Sequence, residues 1–467
     1  MKNHYLYFIA FLFCFGIAQG QVDSTKQYKK RVLESMELDF LISYYTQDGD
    51  NASVTGGVGT EELSDLTPTF VLAIPLNDDD VLTIDAAISA YSSASSSNLN
   101  PFRSGEGIKK GSPWVESSGA SAMDTWTSIN LSYSHSSDDR NMIWNSHVSF
   151  SNEYDYSSVG FGGGYARLFN KKNTELSING NVYLDIWNPQ LPIELRSYQG
   201  ATVDLNTGFF QGIDILNQDG QVIDKDGANV WSPFTSPLQS DDTRNSYTLS
   251  VAFSQIVSKN TQFSLFADIV QQSGWLSNPM QRVYFSDRDN FYVGEAAHIP
   301  NYTNEQNTGV FHLADDIERL PDSRIKIPIG GRLNHYLNES MVLRTYYRFY
   351  TDDWGIVSNT FSVDLPIKLS DKYTLSPGLR YYTQTAADYF AGYEEHLSTD
   401  EYYTSDYDLS EFNSTQYSLG VGYKDIFTSW HVGKFRLKSV NLKYSYYDRD
   451  TGLSANIITG GVKFIIE

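Results

Sequence analysis

Cysteine is all but missing from this chain of 467 residues: Cys14 is the only one, and it lies inside the apolar run from Tyr5 to Ile17. That run follows Lys2 and precedes the small residues of Ala18-Gln19-Gly20, the pattern of a cleavable export signal, so residues 1–20 are read as a signal peptide and the mature chain begins near Gln21. A mature chain without cysteine has no disulfides, no thiolate metal site and no cysteine nucleophile. Export without cysteine suits a Gram-negative envelope protein better than a disulfide-stapled secreted domain.

Long apolar runs are missing as well. After the signal nothing approaches the roughly 18 consecutive apolar residues of a transmembrane helix, which excludes a helical membrane protein. Positive charge is short, with 34 Lys and Arg against 56 Asp and Glu and a net charge of −22. No basic stripe can displace phosphate counterions, so nucleic acid is excluded as a partner.

Aromatic residues are abundant: 33 Tyr, 26 Phe and 8 Trp make up 14% of the chain, at a mean hydropathy of −0.37. They sit in segments that alternate apolar and polar. Thr415-Gln416-Tyr417-Ser418-Leu419-Gly420-Val421-Gly422-Tyr423 is one such segment, and Tyr247, Leu249, Val251 and Phe253 alternate with Thr248, Ser250, Ala252 and Ser254 in another. A period of two with one apolar and one wet face is a two-sided strand. Such segments fall near 32–45, 66–74, 81–89, 125–134, 142–152, 157–168, 174–187, 245–257, 261–273, 324–337, 341–351, 355–368, 373–385, 414–427, 435–448 and 455–466. Every second connection is a tight turn, and all the long ones (46–65, 90–124, 188–244, 274–323 and 386–413) fall in the other set. Short periplasmic turns alternating with long extracellular loops are the habit of an all-β, antiparallel, up-and-down transmembrane β-barrel, here of about sixteen strands.

The domain reading is therefore a signal peptide at 1–20, a short periplasmic segment at 21–31 and an outer-membrane barrel at 32–467. The polar stretch Gln21 to Arg31 leaves no room for the plug of an energy-coupled transporter. The chain ends Phe464-Ile465-Ile466-Glu467, without the terminal aromatic residue that the barrel-assembly machinery often reads.

Several segments resemble a family of uncharacterised Gram-negative outer-membrane barrels, domain-of-unknown-function family 3570. They are Tyr44-Tyr45-Thr46-Gln47-Asp48-Gly49-Asp50-Asn51 with Val54-Thr55-Gly56-Gly57-Val58-Gly59-Thr60-Glu61, then Ser89-Ala90-Tyr91-Ser92-Ser93-Ala94-Ser95-Ser96-Ser97-Asn98, Ser132-Tyr133-Ser134-His135-Ser136-Ser137-Asp138-Asp139-Arg140, and Asp185-Ile186-Trp187-Asn188-Pro189. The resemblance implies a barrel with no established activity and points to an envelope redox partner.

Alternation also sorts the charges. Lys326, Arg332, Arg344, Arg348, Arg380, Lys424 and Lys443 are expected to face the lumen from later strands; Glu37, Asp39, Asp85, Glu175, Asp185 and Asp268 face it from earlier ones, with Asp364 an exception. Opposed walls of charge set a transverse field that orients polar solutes and filters ions, unless the charges merely pair across the barrel. Asp48 and Asp50, and Asp219, Asp224 and Asp226, lie in acidic glycine-rich loop segments that can hold Ca²⁺ through oxygen ligands or serve as ordinary turns; no other cofactor is expected. Ser134, His135, Ser136 and Asp138 contain the ingredients of a hydrolase but sit in a short turn where such residues are common. No enzyme is expected. Tyr44, Tyr45, Trp126, Trp144, Trp187, Tyr346, Tyr347, Tyr381 and Tyr382 lie near strand ends and read as interfacial girdle residues. The sequence leaves two main functions open: a porin-like or partner-coupled conduit for a small polar solute or ion, or a closed scaffold whose loops bind a redox or surface partner. Lipid, the assembly machinery and further copies of the chain are the other expected partners.

Overall fold

Strands whose side chains alternate between apolar and polar need an apolar surrounding on one face, a core or lipid, and water on the other. The computed structural model satisfies that demand with a closed antiparallel barrel of sixteen long strands. It describes residues 31–95, 123–188, 191–233, 242–301 and 310–466; the signal peptide, the cleavage point near Gln21 and Glu467 lie outside the described residues. In chain order the strands are β1 (Met36–Asp48), β2 (Glu61–Pro75), β3 (Asp80–Ser95), β4 (Met123–Ser136), β5 (Met142–Asn152), β6 (Tyr156–Phe169), β7 (Thr174–Trp187) and β8 (Asp242–Ser258). They continue as β9 (Thr261–Gly274), β10 (Ser323–Asn338), β11 (Met341–Asp352), β12 (Val357–Asp364, resuming at Ile367–Lys368), β13 (Tyr373–Gln384), β14 (Phe412–Lys424), β15 (Phe435–Arg449) and β16 (Ser454–Ile466).

Each strand pairs with its sequence neighbour, and β1 closes on β16 in a register running from Met36 opposite Ile466 to Asp48 opposite Ser454. Closure removes the unpaired edges that an open sheet would expose. At one end the chain turns back tightly: Asn77 Oδ1 accepts from the backbone N–H groups of Asp79 (2.8 Å) and Asp80 (2.9 Å), and Asn338 Oδ1 accepts from Ser340 N–H at 2.9 Å. Every long connection lies at the opposite end, in the strict alternation expected.

The outer face is apolar and bare. Leu265 is 54% exposed and Phe70 50%, while Val148, Phe161 and Leu419 repeat the pattern on other strands. On a water-soluble barrel such a belt would be the wrong way round, so the strands span a membrane. Near the loop end three outward tyrosines donate to asparagines of the next strand: Tyr347 to Asn359 (2.7 Å), Tyr381 to Asn413 (3.2 Å) and Tyr444 to Asn456 (2.7 Å). A ring in lipid with a hydroxyl tied to a polar neighbour marks the membrane boundary.

Leu265 and Ser264 are neighbours on opposite faces of β9, which makes the lipid contact testable. Leu265→Arg is expected to destabilise the barrel by about 2–4 kcal/mol near the membrane midplane. Ser264→Arg, facing the lumen, should change stability little; urea titrations in lipid vesicles that found the two substitutions equal would contradict the assignment of faces.

Among the described residues no apolar core lies inside the barrel. The largest buried apolar side chains, Trp231, Tyr403, Phe210, Phe285 and Phe311 among them, belong to the loops.

Candidate functional site

Four loops fold together into a cap. The β7–β8 loop contributes helix α1 (Ile193–Gly200) and the strand piece Ile215–Asn217; the β9–β10 loop adds Phe291–Gly294 and Val310–His312 to make a small three-stranded sheet. Between them Leu195, Tyr198, Phe210, Ile215, Trp231, Phe311 and Leu313 form a dry core, and Trp231 donates its indole N–H to Ala314 O at 3.1 Å. Bridges from Arg319 to Tyr403 and from Phe285 to His396 bring in the β13–β14 loop.

One buried guanidinium connects this core to the far side of the mouth. Arg282, fully buried, donates from Nε to Glu194 Oε1 (2.7 Å), from Nη2 to Glu194 Oε2 (3.1 Å) and from Nη1 to Val54 O (2.6 Å). Val54 belongs to the β1–β2 loop and Arg282 to the β9–β10 loop, which lie on opposite sides of the ring, so this contact spans the opening. The planar fork of arginine suits a carboxylate gripped at two points while a third N–H remains for the carbonyl. Beside it His312 is stacked between Tyr284 (4.1 Å) and Tyr292 (4.6 Å); burial drives its imidazole down to about 3, so it stays neutral.

Beneath the cap, strand registers place Lys326, Arg332, Arg344, Arg348, Arg380, Lys424 and Lys443 on the inward face, and Glu37, Asp39, Asp85, Glu175, Asp185 and Asp268 likewise. The sequence pattern misses Arg244, Arg324, Lys438, Arg449 and Lys463 on the basic side and Glu61, Asp65, Asp124, Asp242 and Asp352 on the acidic side. Those positions sit at strand ends or at a bulge, or next to acids that alternation alone does not sort. Among the described residues no Lys or Arg points inward from β1 to β7, whereas Asp352 and Asp364 are the inward acids of β10 to β16.

Pairing between neighbouring strands accounts for part of the charge. At the β16–β1 seam Lys463 meets Glu37 and Asp39, both at 3.0 Å, and Lys438 also reaches Glu37; Arg324 holds Asp352 and lies 4.2 Å over the Trp354 ring. Arg332, Arg344, Arg348, Arg380, Lys424 and Lys443 form no ion pair with any described residue, nor do Asp85, Glu175 and Asp268. Arg332 instead lies over Phe266 and Tyr346 at 5.8 and 5.6 Å.

Where cap meets lumen, Glu318 is buried, its Oε1 accepting from Asn278 N–H at 2.6 Å and its Oε2 from the Thr404 hydroxyl. Burial, reinforced by the nearby negative Asp406, pushes its carboxyl above the ordinary range, against the opposing pull of Arg244. Asp406 is raised by burial and by Asp408, and Asp315, deeper in the cap, is raised to about 7, chiefly by burial. A carboxyl raised in the folded state holds more protons than the unfolded chain at the same pH, so stability falls as pH rises through that window. The cap is therefore expected to resist protease better at about pH 5 than at about pH 8, and Glu318→Gln to flatten the difference. Protection that grew with pH would contradict this.

The other sequence candidates come apart. Ser134 and Ser136 face inward while His135 faces outward, its Nδ1 2.6 Å from Asp80 and its ring 5.6 Å from that of Trp144, so no hydrolase set assembles. Among the described residues no three His, Cys, Asp or Glu side chains gather to hold a metal. Asp48 accepts from the Thr60 hydroxyl, Asp50 lies beside Gly452, Asp219 N–H donates to Asn217, and Asp224 and Asp226 accept from Asp226 N–H and Asn206; these are turn contacts. The girdle reading holds for Tyr44, Trp144, Tyr347 and Tyr381 but is corrected for Tyr45, Trp126, Trp187, Tyr346 and Tyr382. Their parity along the strand turns them into the lumen.

Three of the cavities beside the cap adjoin one another. One of about 630 Å³ lies against β4 to β7; the next, about 510 Å³, shares Trp126 and Tyr156 with it; a third, about 410 Å³, shares Trp187, Arg244 and Gln272 with the second and reaches Glu318.

No curated protein sequence matches the chain. Solved structures similar to it include a bacterial polysaccharide outer membrane secretin, 9% identical with a TM-score of 0.41 over 93% of this chain and 99% of that one. A Pseudomonas aeruginosa FadL homologue is 10% identical with a TM-score of 0.39 over 93% of this chain and 91% of that one. The outer membrane protein opdK from the same organism is 10% identical, with a TM-score of 0.34 over 92% of this chain and 98% of that one. The sequence matches the model of the family described as "Protein of unknown function (DUF3570)" over residues 9–463, and the protein belongs to that family.

Proposed function

We propose that this protein is a conduit of the Gram-negative outer membrane, passing a small polar solute or ion through a charge-sorted lumen whose outer mouth is narrowed by the cap. In this reading residues 1–20 are removed near Gln21 on export, the tight turns face the periplasm and the cap faces outward. The observation that carries it is the sorting of unpaired charge: bases gather on β10 to β14, Asp85 on β3 lies across the ring from them, and Glu175 on β7 and Asp268 on β9 lie on the side that adjoins β10. A field across a low-dielectric channel orients a dipolar solute and raises its local concentration. A barrel of about sixteen strands is wide enough to hold an aqueous path. No catalytic role is assigned.

A second reading is favoured by the Arg282–Val54 contact: a mouth bridged in this way suits a closed scaffold whose loops bind an envelope redox or surface partner. Proteoliposome swelling separates the two. The conduit reading expects uptake of small zwitterions such as glycine and serine by vesicles holding the refolded full chain, and faster uptake once the cap is released. Folded protein that supports no uptake in either state would leave the scaffold.

A further inference from the structure

The wall formed by β4 to β7 carries no inward cation, as on β1 to β3, and in front of its cavity its inward side chains are hydroxyls, amides and aromatics, with the acids Asp124, Glu175 and Asp185 towards the strand ends. The glycines of β6 create the space. A Cβ on Gly160 would lie 2.6 Å from the Tyr183 ring, and one on Gly162 would meet Asn181 Oδ1 and lie 2.6 Å from both the Gly180 carbonyl and the His147 ring. These glycines do not adopt positive φ angles, so the requirement is for room: Tyr183, His147 and Asn181 lie back over the bare backbone and leave about 630 Å³ open in front of them. That volume is within the range of about 300–1,000 Å³ usual for small-molecule sites.

The lining specifies a chemistry. Ser128, Ser149 and Asn181 can each donate and accept, while Trp126, Tyr156 and Tyr183 add flat apolar faces. At the rim Asp185 is 7% exposed, lines the adjoining cavity and has an Oδ1 with no hydrogen-bond partner; lower down the buried Oδ1 of Asn130 is likewise unpartnered. Buried acceptors without donors are costly unless a ligand or water supplies the missing hydrogen. An anion would find no inward Lys or Arg on these strands, and a flat quinoid ring would leave most of the hydroxyls unused. A neutral ring with hydroxyls around its edge and C–H groups on its faces can offer donors to the free acceptors and a flat face to the aromatic rings. The geometry points to a saccharide-binding subsite in the lumen wall of β4 to β7, taking neutral oligosaccharide units against Tyr183 and Trp126.

The test reads binding directly, in detergent and without flux, so its outcome is independent of whether the barrel conducts. The refolded full chain is titrated with maltotriose, cellotriose and raffinose by calorimetry, with heat-modifiable migration as the check of folding. Saturable binding of at least one is expected, weakened about tenfold or more in Tyr183→Ala through loss of the ring face. Binding should be abolished in Gly162→Val, which pushes His147 and Asn181 into the space, and unchanged in Phe161→Ala on the lipid face of the same strand. Absence of saturable binding by all three sugars, or binding that survives both recess substitutions, would overturn the assignment.

Discussion

Arg282→Ala is expected to release the cap while leaving the barrel folded. The substitution strands the fully buried Glu194 carboxylate and removes the donor to Val54 O, the contact that spans the mouth. Breaking a buried ion pair by deleting one partner typically costs about 3–5 kcal/mol, because the remaining charge is uncompensated. The barrel's ladder does not pass through either residue, so strand protection should persist. Hydrogen exchange is the suitable measurement: amides of 191–233, 275–301 and 310–322 should exchange hundreds of times faster in the variant, at about 1.4 kcal/mol per tenfold, with the strands unchanged. Arg282→Met combined with Glu194→Leu should recover most of the lost protection, since a buried pair replaced by apolar groups is often neutral or stabilising. If Arg282→Ala left loop exchange at the wild-type rate, the pair would not be what holds the cap.

The second large effect is on ion preference. Arg344 and Arg348 face the lumen without an ion-pair partner among the described residues, across the ring from Asp85 on β3. In the cap-released background, Arg344→Ala with Arg348→Ala should move the reversal potential under a salt gradient towards cation preference. The shift should be clear where the screening length is about 10 Å, near 0.1 M salt, and nearly gone at 1 M, where it is about 3 Å. A reversal potential that did not move at low salt would mean that these guanidiniums do not face the permeating ions.

Much of the barrel is legible in the sequence because parity is an all-or-none property. In β14, Tyr417, Leu419 and Val421 must face lipid together, and a slip of one residue would turn them all into water. Parity fails where the outer face leaves lipid. The sequence reading begins β2 at 66, but the strand starts at Glu61, because Glu62 and Ser64 face outward above the apolar belt and break the alternation. It carries β12 unbroken to 368, whereas the strand pauses at Leu365–Pro366, where proline has no N–H for the ladder. Tyr45, Trp126 and Trp187 were assigned to the girdle by nearness to strand ends, when their parity with Gln47, Ser128 and Asp185 turns them inward. The cap is another matter. Loop length suggests that something covers the mouth, but Arg282 in Gln281-Arg282-Val283 resembles any solvated loop charge. Its role depends on meeting Glu194 and Val54, which are far away in sequence and belong to no periodic pattern. The recess is hidden for a similar reason: Gly160, Gly162 and Gly164 stand at the even, lumen-facing positions of β6 like any small residue, and only the neighbouring side chains lying over them make the space.

The most direct test of the central claim is single-channel conductance of the refolded full chain in a planar bilayer, wild type beside Arg282→Ala. A conduit narrowed by its cap predicts small or infrequent current steps for the wild type and larger, stable steps for the variant, both from protein that migrates as a folded, heat-modifiable barrel. Folded protein that carries no current in either form would contradict the conduit and leave the barrel as a scaffold for its loops.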